Sequence, residues 1–188
     1  MKTAIILHGM ASKEEYENSE HEAPSNLHWL PWIQQQLIVN GVLAQTPEMP
    51  APYAPVYEDW KAAFERFEIN ENTTLIGHSC GAGFLVRWLS ENKVQVGKVV
   101  LVAPWINPDK DPVTDMFNFA IDPALPARTK GVTVFISEDD DKEMLDTVAI
   151  LEKEITGINV IRMQGKGHFT FGDTGSREFP ELKDLLLS

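Results

Sequence analysis

Cysteine is nearly missing from this chain. Cys80 stands alone among 188 residues, so no disulfide can form within the chain and a reducing compartment is expected. Positive charge is also scarce: 16 Lys and Arg face 28 Asp and Glu, a formal net charge of −12. That balance leaves no basic stripe to neutralise nucleic-acid phosphates, and it disfavours anionic headgroups and strongly anionic substrates. Long apolar runs are lacking too. No stretch approaches the roughly 20 residues of a membrane span, and the short run after Lys2 does not make a signal-peptide core. The expectation is a soluble cytoplasmic protein that binds neither nucleic acid nor membrane. His8, His78 and His168 fit neither H-x-E-x-x-H nor C-x-x-C spacing, so no metal and no cofactor is implied. Internal repeats, low-complexity tracts and linkers are absent as well, which predicts a single domain over 1–188.

What is present alternates between strand and helix. Thr3 to Leu7 predicts a first strand, followed by a polar loop with acidic residues crowded between Lys13 and Glu22. A helix is expected over 27–40, with Pro31 in its first turn, Leu30, Ile33 and Leu37 facing inward, and Gly41 stopping it. A short strand over 42–46 leads to a stiff crossing through Pro47, Pro50, Pro52 and Pro55, then to a helix over 58–67. Thr73 to Ile76 predicts a buried strand. Phe84, Leu85, Trp88 and Leu89 mark one face of the helix after it. Lys98 to Ala103 is apolar on both faces, as a central parallel strand should be. Residues 104–130, with five prolines, predict an irregular excursion or a small lid. Further strands are expected at 132–136 and 158–163. Met144, Val148, Leu151 and Ile155 define a helix between them, and Phe179, Leu182, Leu185 and Leu186 a final one. The fold class is therefore α/β: a three-layer sandwich with a central, mostly parallel sheet.

Between the third strand and its helix lies Gly77-His78-Ser79-Cys80-Gly81. A serine in G-x-S-x-G on a strand-to-helix turn is a nucleophile elbow, with the glycines allowing strand and helix to approach. A serine hydroxyl needs a neutral imidazole to take its proton and a carboxylate to orient that imidazole. Both follow in the order Ser, acid, His, each on a loop after a strand. Glu138-Asp139-Asp140-Asp141 follow one strand and His168 the next. Parallel strands end on one edge, so the three loops can meet there. Four adjacent acidic residues leave the orienting carboxylate open among Asp139, Asp140 and Asp141. The two amides of an oxyanion hole are expected from Cys80, at a helix N-terminus, and from Met10, where Gly9 permits the turn. The Cys80 side chain reads as packing, and His8 and His78 read as residues that shape the site by hydrogen bonding. Trp105, Phe117 and Trp29, with Trp32 and Phe119, are candidates for lining an apolar acyl pocket.

These residues give the chain a resemblance to small serine hydrolases of the α/β-hydrolase superfamily, those grouped with retinoblastoma-binding protein nine and its bacterial relatives. The similarity spans ILHG at 6–9, HWLPWI at 28–33, EMP at 48–50, EDW at 58–60, GHSCG at 77–81, VVLVAPW at 99–105, SEDD at 137–140 and GKGHF at 165–169. It implies an abbreviated α/β-hydrolase fold with Ser79, Asp140 and His168 as the triad. The implied reaction is cleavage of a small ester or amide through an acyl-serine. Two features depart from the family. Asp141-Lys142-Glu143 stand where relatives continue into an apolar residue and a proline, and the acidic segment 13–22 is unusually long. The L-x-C-x-E peptide behind the family's binding role is absent, so that role does not carry over. The alternative reading is a non-catalytic protein-binding module that keeps the fold.

Overall fold

The computed structural model describes residues 1–110 and 114–188. In chain order the elements are β1 (Thr3–Leu7), α1 (Lys13–Glu17), α2 (Leu30–Val39), β2 (Leu43–Gln45), α3 (Tyr57–Phe64) and β3 (Thr73–His78). They continue with α4 (Cys80–Glu91), β4 (Val99–Val102), β5 (Val132–Ser137), α5 (Lys142–Glu154), β6 (Asn159–Met163), α6 (Phe171–Thr174) and α7 (Pro180–Leu187). Single 3₁₀ turns lie at Pro24–Asn26 and Leu125–Arg128.

The six strands form one sheet in the order β2-β1-β3-β4-β5-β6, every neighbouring pair parallel. All four residues of β4 and all six of β5 are buried, as strands covered on both faces must be. The outer strand β6 is only partly covered. The chain runs outward from β1 to β2 and then back past β1 to β3. Right-handed crossovers therefore place α2 on one face and α3, α4 and α5 on the other. Tyr57, Trp60 and Phe64 of α3 surround Phe84 of α4 with ring centroids 5.4 to 5.8 Å apart. The reversal between β1 and β3 is the topological switch point, where an α/β sheet opens a crevice beyond its strand ends.

Three expectations shift. α2 begins at Leu30 rather than at 27, because His28 takes φ 58°, a left-handed conformation that no helix continues through. β4 stops before Ala103, whose φ is 44°. The acidic stretch after residue 12 is not all loop: Ser12 caps Glu15 reciprocally and turns 13–17 into helix α1, with no buried residue.

The excursion 104–130 is irregular as expected, and its described part is fastened to α4. Arg87 donates from Nη1 to the carbonyls of Asp115 at 2.8 Å and Met116 at 2.9 Å. Lys93 and Arg128 both pair with Asp122 at 2.7 Å. The lid reading also covered 111–113, which lie outside the described residues.

Candidate active site

Ser79 follows β3 directly and holds φ 52°, ψ −121°, a strained setting of about 1–3 kcal/mol for a residue with a Cβ. The turn is tight enough to demand glycine. A Cβ on Gly77 would lie 2.6 Å from the Ala82 backbone, and one on Gly81 2.3 Å from the His8 carbonyl. Cys80 opens α4, where backbone N–H groups lack intrahelical acceptors and the helix dipole is positive. Its thiol is buried, and burial pushes its pKa up, away from thiolate chemistry.

The loop after β1 comes against the serine. A Cβ on Gly9 would meet Ser79 Cβ at 2.9 Å, and Met10 lines a cavity together with Ser79. His8 fixes this loop from beneath. Its Nδ1 donates to the Gly9 carbonyl at 2.7 Å, and its Nε2 accepts from the Met49 amide at 2.9 Å. Glu48 lies 3.5 Å from Nε2, but the Met49 amide already occupies that lone pair, so His8 is neutral and the contact is no ion pair. Burial, partly offset by Glu48, lowers the His8 pKa.

Asp140 and His168 stand on the loops after β5 and β6. Asp140, its side chain fully enclosed, lies with Oδ1 3.0 Å and Oδ2 3.3 Å from Nδ1 of His168. A carboxylate accepts, so Nδ1 carries a hydrogen, and in the neutral ring Nε2 is the nitrogen with the lone pair. Asp140 Oδ1 also accepts the Asp141 amide at 2.8 Å. Asp139 turns elsewhere. It accepts from the Ser137 hydroxyl and from the Gly165 amide, and the Ser137 hydroxyl holds its carboxyl below the usual range. Lys166 donates its amide to Ser137 Oγ at 3.1 Å, so the loops after β5 and β6 are stitched together. The hydroxyl of Ser79 is not hydrogen-bonded to the His168 ring in this structure. Without substrate that contact is often long and tightens only in the reacting complex.

The cavity beside Ser79 measures about 480 Å³ and is lined by Met10, Trp105 and Met144 together with the charged residues Asp109, Asp141, Lys142 and Glu143. Of the three aromatic candidates, Trp105 lines it, its indole N–H donating to Glu143 Oε2 at 2.6 Å. Phe117 stands one layer back, edge-on to Trp105 at 5.0 Å. Trp29 does not face the cavity: only 2% exposed, it packs behind His78 and against Phe179. The pocket is thus less apolar than expected, because the first turn of α5 brings charged side chains to it. Asp173 and His28, two side chains that hold the loop after β6, escaped the sequence reading. The Thr170-x-x-Asp173 spacing of a capping box was the available signal for the first. Among the described residues, no cluster of three or more His, Cys, Asp or Glu side chains could hold a metal ion, and no helix is long and apolar enough to cross a membrane.

A family model described as serine hydrolase matches residues 15–188. The YdeN protein of Bacillus subtilis is 28% identical over 184 residues, covering 94% of this chain and 96% of that one. Its crystal structure superposes with a TM-score of 0.81 at 27% identity, over 99% of this chain and 97% of that one. An α/β serine hydrolase homologue from Coxiella burnetii gives a TM-score of 0.58 at 18% identity, covering 99% and 83% of the two chains. The esterase domain of a Rhodothermus marinus protein gives 0.61 at 15% identity over 98% and 84%. These last two speak for the shared fold alone.

Proposed function

The chain belongs to the serine hydrolase family, whose model spans 15–188, and on that premise we propose that it cleaves a small carboxylic ester, or an amide, through an acyl-serine intermediate. Ser79 Oγ attacks the carbonyl carbon while His168 Nε2 takes its proton. Asp140 holds the Nδ1–H tautomer and stabilises the imidazolium that forms. The amides of Cys80 and Met10 receive the oxyanion, a donor pair in which each member contributes about 10²–10³-fold to rate. The intermediate collapses, the imidazolium protonates the departing alkoxide or amine, and water repeats the cycle to release the acid and free serine.

The observation that carries this reading is the 3.0 Å bond between His168 Nδ1 and enclosed Asp140, because it fixes the tautomer in which the neutral ring offers Nε2 as the base. The strained backbone of Ser79 supports the nucleophile assignment. A cavity of about 480 Å³ suits a small acyl or alcohol group better than an extended peptide. A cytoplasmic place of work, with neither nucleic acid nor membrane as partner, fits the acidic balance and the lone buried cysteine.

A fluorophosphonate probe tests the proposal. Labelling of the wild type that disappears in Ser79→Ala is expected. An unlabelled wild type that also leaves p-nitrophenyl acetate intact would return the chain to the binding-module reading.

A further inference from the structure

We propose that His78 and His28 act as a two-point clamp that positions the His168 loop against the nucleophile, an inference that rests on His168 being the base. The sheet alone gives that loop a weak anchor. His168 follows β6, the partly covered outer strand, and two strands separate β6 from the β3 that carries Ser79. The Nε2–H of His78 spans that gap, donating to the main-chain carbonyl of His168 at 2.8 Å. His78 is the residue immediately before the serine. One hydrogen bond therefore ties the base loop to the nucleophile's own strand, so that a shift at the end of β3 carries both partners together.

His28 grips the loop at a second point. The Phe171 amide donates to His28 Nδ1 at 3.1 Å, using an N–H from the open first turn of α6. To reach it, His28 holds the left-handed φ of 58°, a conformation a non-glycine residue keeps only under constraint. Asp173 completes the hold, accepting the amides of His168 at 3.0 Å and Thr170 at 3.1 Å. The base thus has its N–H on Asp173, its C=O on His78 and its ring on Asp140.

The chemistry of position 78 supports a positioning role over simple packing. His78 is 3% exposed, and its ring sits among Trp29, His28 and His168 with centroids 5.0 to 5.9 Å away. An apolar ring would fill that space without the cost of burying an imidazole. What the imidazole adds is the donor. Burial first, then the proximity of His168 and His28, lowers its pKa well below the ordinary value. Burial and His168 lower that of His28 too, against Asp173 and Glu15 and with Arg177. Both rings are then neutral at working pH and do not repel the imidazolium that turnover creates on His168.

The test compares His78→Phe, which keeps a ring but removes the donor, with His78→Gln, which restores an amide donor. With p-nitrophenyl acetate, H78F is expected to lower kcat by about 10–100-fold and leave KM within about threefold, the signature of a misplaced base. H78Q should recover kcat to within about fivefold of wild type. Hydrogen exchange of the 167–172 segment should quicken in H78F and return towards wild type in H78Q. His28→Phe, at a less enclosed site, should quicken the same segment and lower kcat by about 3–10-fold, which keeps the test decisive if H78F does not fold. Wild-type kcat and exchange in both phenylalanine variants would overturn the clamp, as would equal losses in H78F and H78Q with exchange unchanged. If the wild type proves to be no hydrolase, the exchange comparison still decides the clamp, and only the proposed function falls.

Discussion

Asp139, Asp140 and Asp141 share a charge and stand side by side, yet they have three different occupations. Asp139 braces the Gly165 amide, Asp140 meets the His168 ring, and Asp141 precedes the first turn of α5. Orientation separates them. Asp140 N–H bonds back to the Ser137 carbonyl at 3.2 Å, and the turn so formed points its side chain inward. Asp140→Asn should leave the fold intact but lower kcat by about 10³–10⁴-fold, since an amide can donate to Nδ1 and stabilise the wrong tautomer. Asp141→Asn should hold kcat within about fivefold, because Asp141 lines the cavity beside Ser79 while the His168 ring is held by Asp140. Initial-rate kinetics on the two variants check this, and equal losses would remove Asp140 from its role. Residue order alone left the three aspartates open because a run of one residue type carries no sign of which side chain faces in. Ser79 and His168 could be singled out because each stands alone of its kind on a turn between elements.

At the scale of elements, legibility followed hydrophobic pattern. The strands β1, β3, β4 and β5 bury most or all of their residues, and the helices α2, α3 and α5 bury apolar residues at a readable period. α1 and α6 bury none and exist through reciprocal caps, Ser12 with Glu15 and Thr170 with Asp173, so periodicity passes over them. The segment 104–130 was illegible for a different reason: its described part is held by side chains distant in sequence, Arg87 and Lys93 among them. Arg87 of α4, 13% exposed in its side chain, lies over the Tyr57 ring at 3.5 Å and forks onto two carbonyls of the excursion. Arg87→Ala would strand the Met116 carbonyl, the part-buried one of the two, and an unsatisfied buried acceptor costs about 1–3 kcal/mol. A loss of about 1–3 kcal/mol in urea unfolding is therefore expected. Arg87→Lys, which keeps the charge but not the fork, should fall between the two. A wild-type midpoint in the alanine variant would mean the excursion is held by something else.

For the whole molecule, the imidazoles that shape the site also set an acid limit. Burial lowers both His8 and His78 from the ordinary 6.5. The unfolded chain would take up protons on these residues just below pH 6.5 while the folded chain refuses them. More protons are then bound by the unfolded state, so stability falls as pH drops through this window, by about 1.4 kcal/mol per pH unit for each group. The carboxylates act later and with their own sign. Asp122, pushed down to about 2 by Lys93, contributes stability that begins to fade only below its ordinary 3.8. Histidine loss should therefore dominate between pH 6.5 and the carboxylate range, ahead of the acid unfolding common to proteins. His78→Gln does not titrate there, so its urea midpoint should decline less steeply than wild type from pH 7 to 5.5. Parallel declines in the two proteins would show that His78 is protonated in the folded chain, and a flat wild-type profile would show the same of both buried rings.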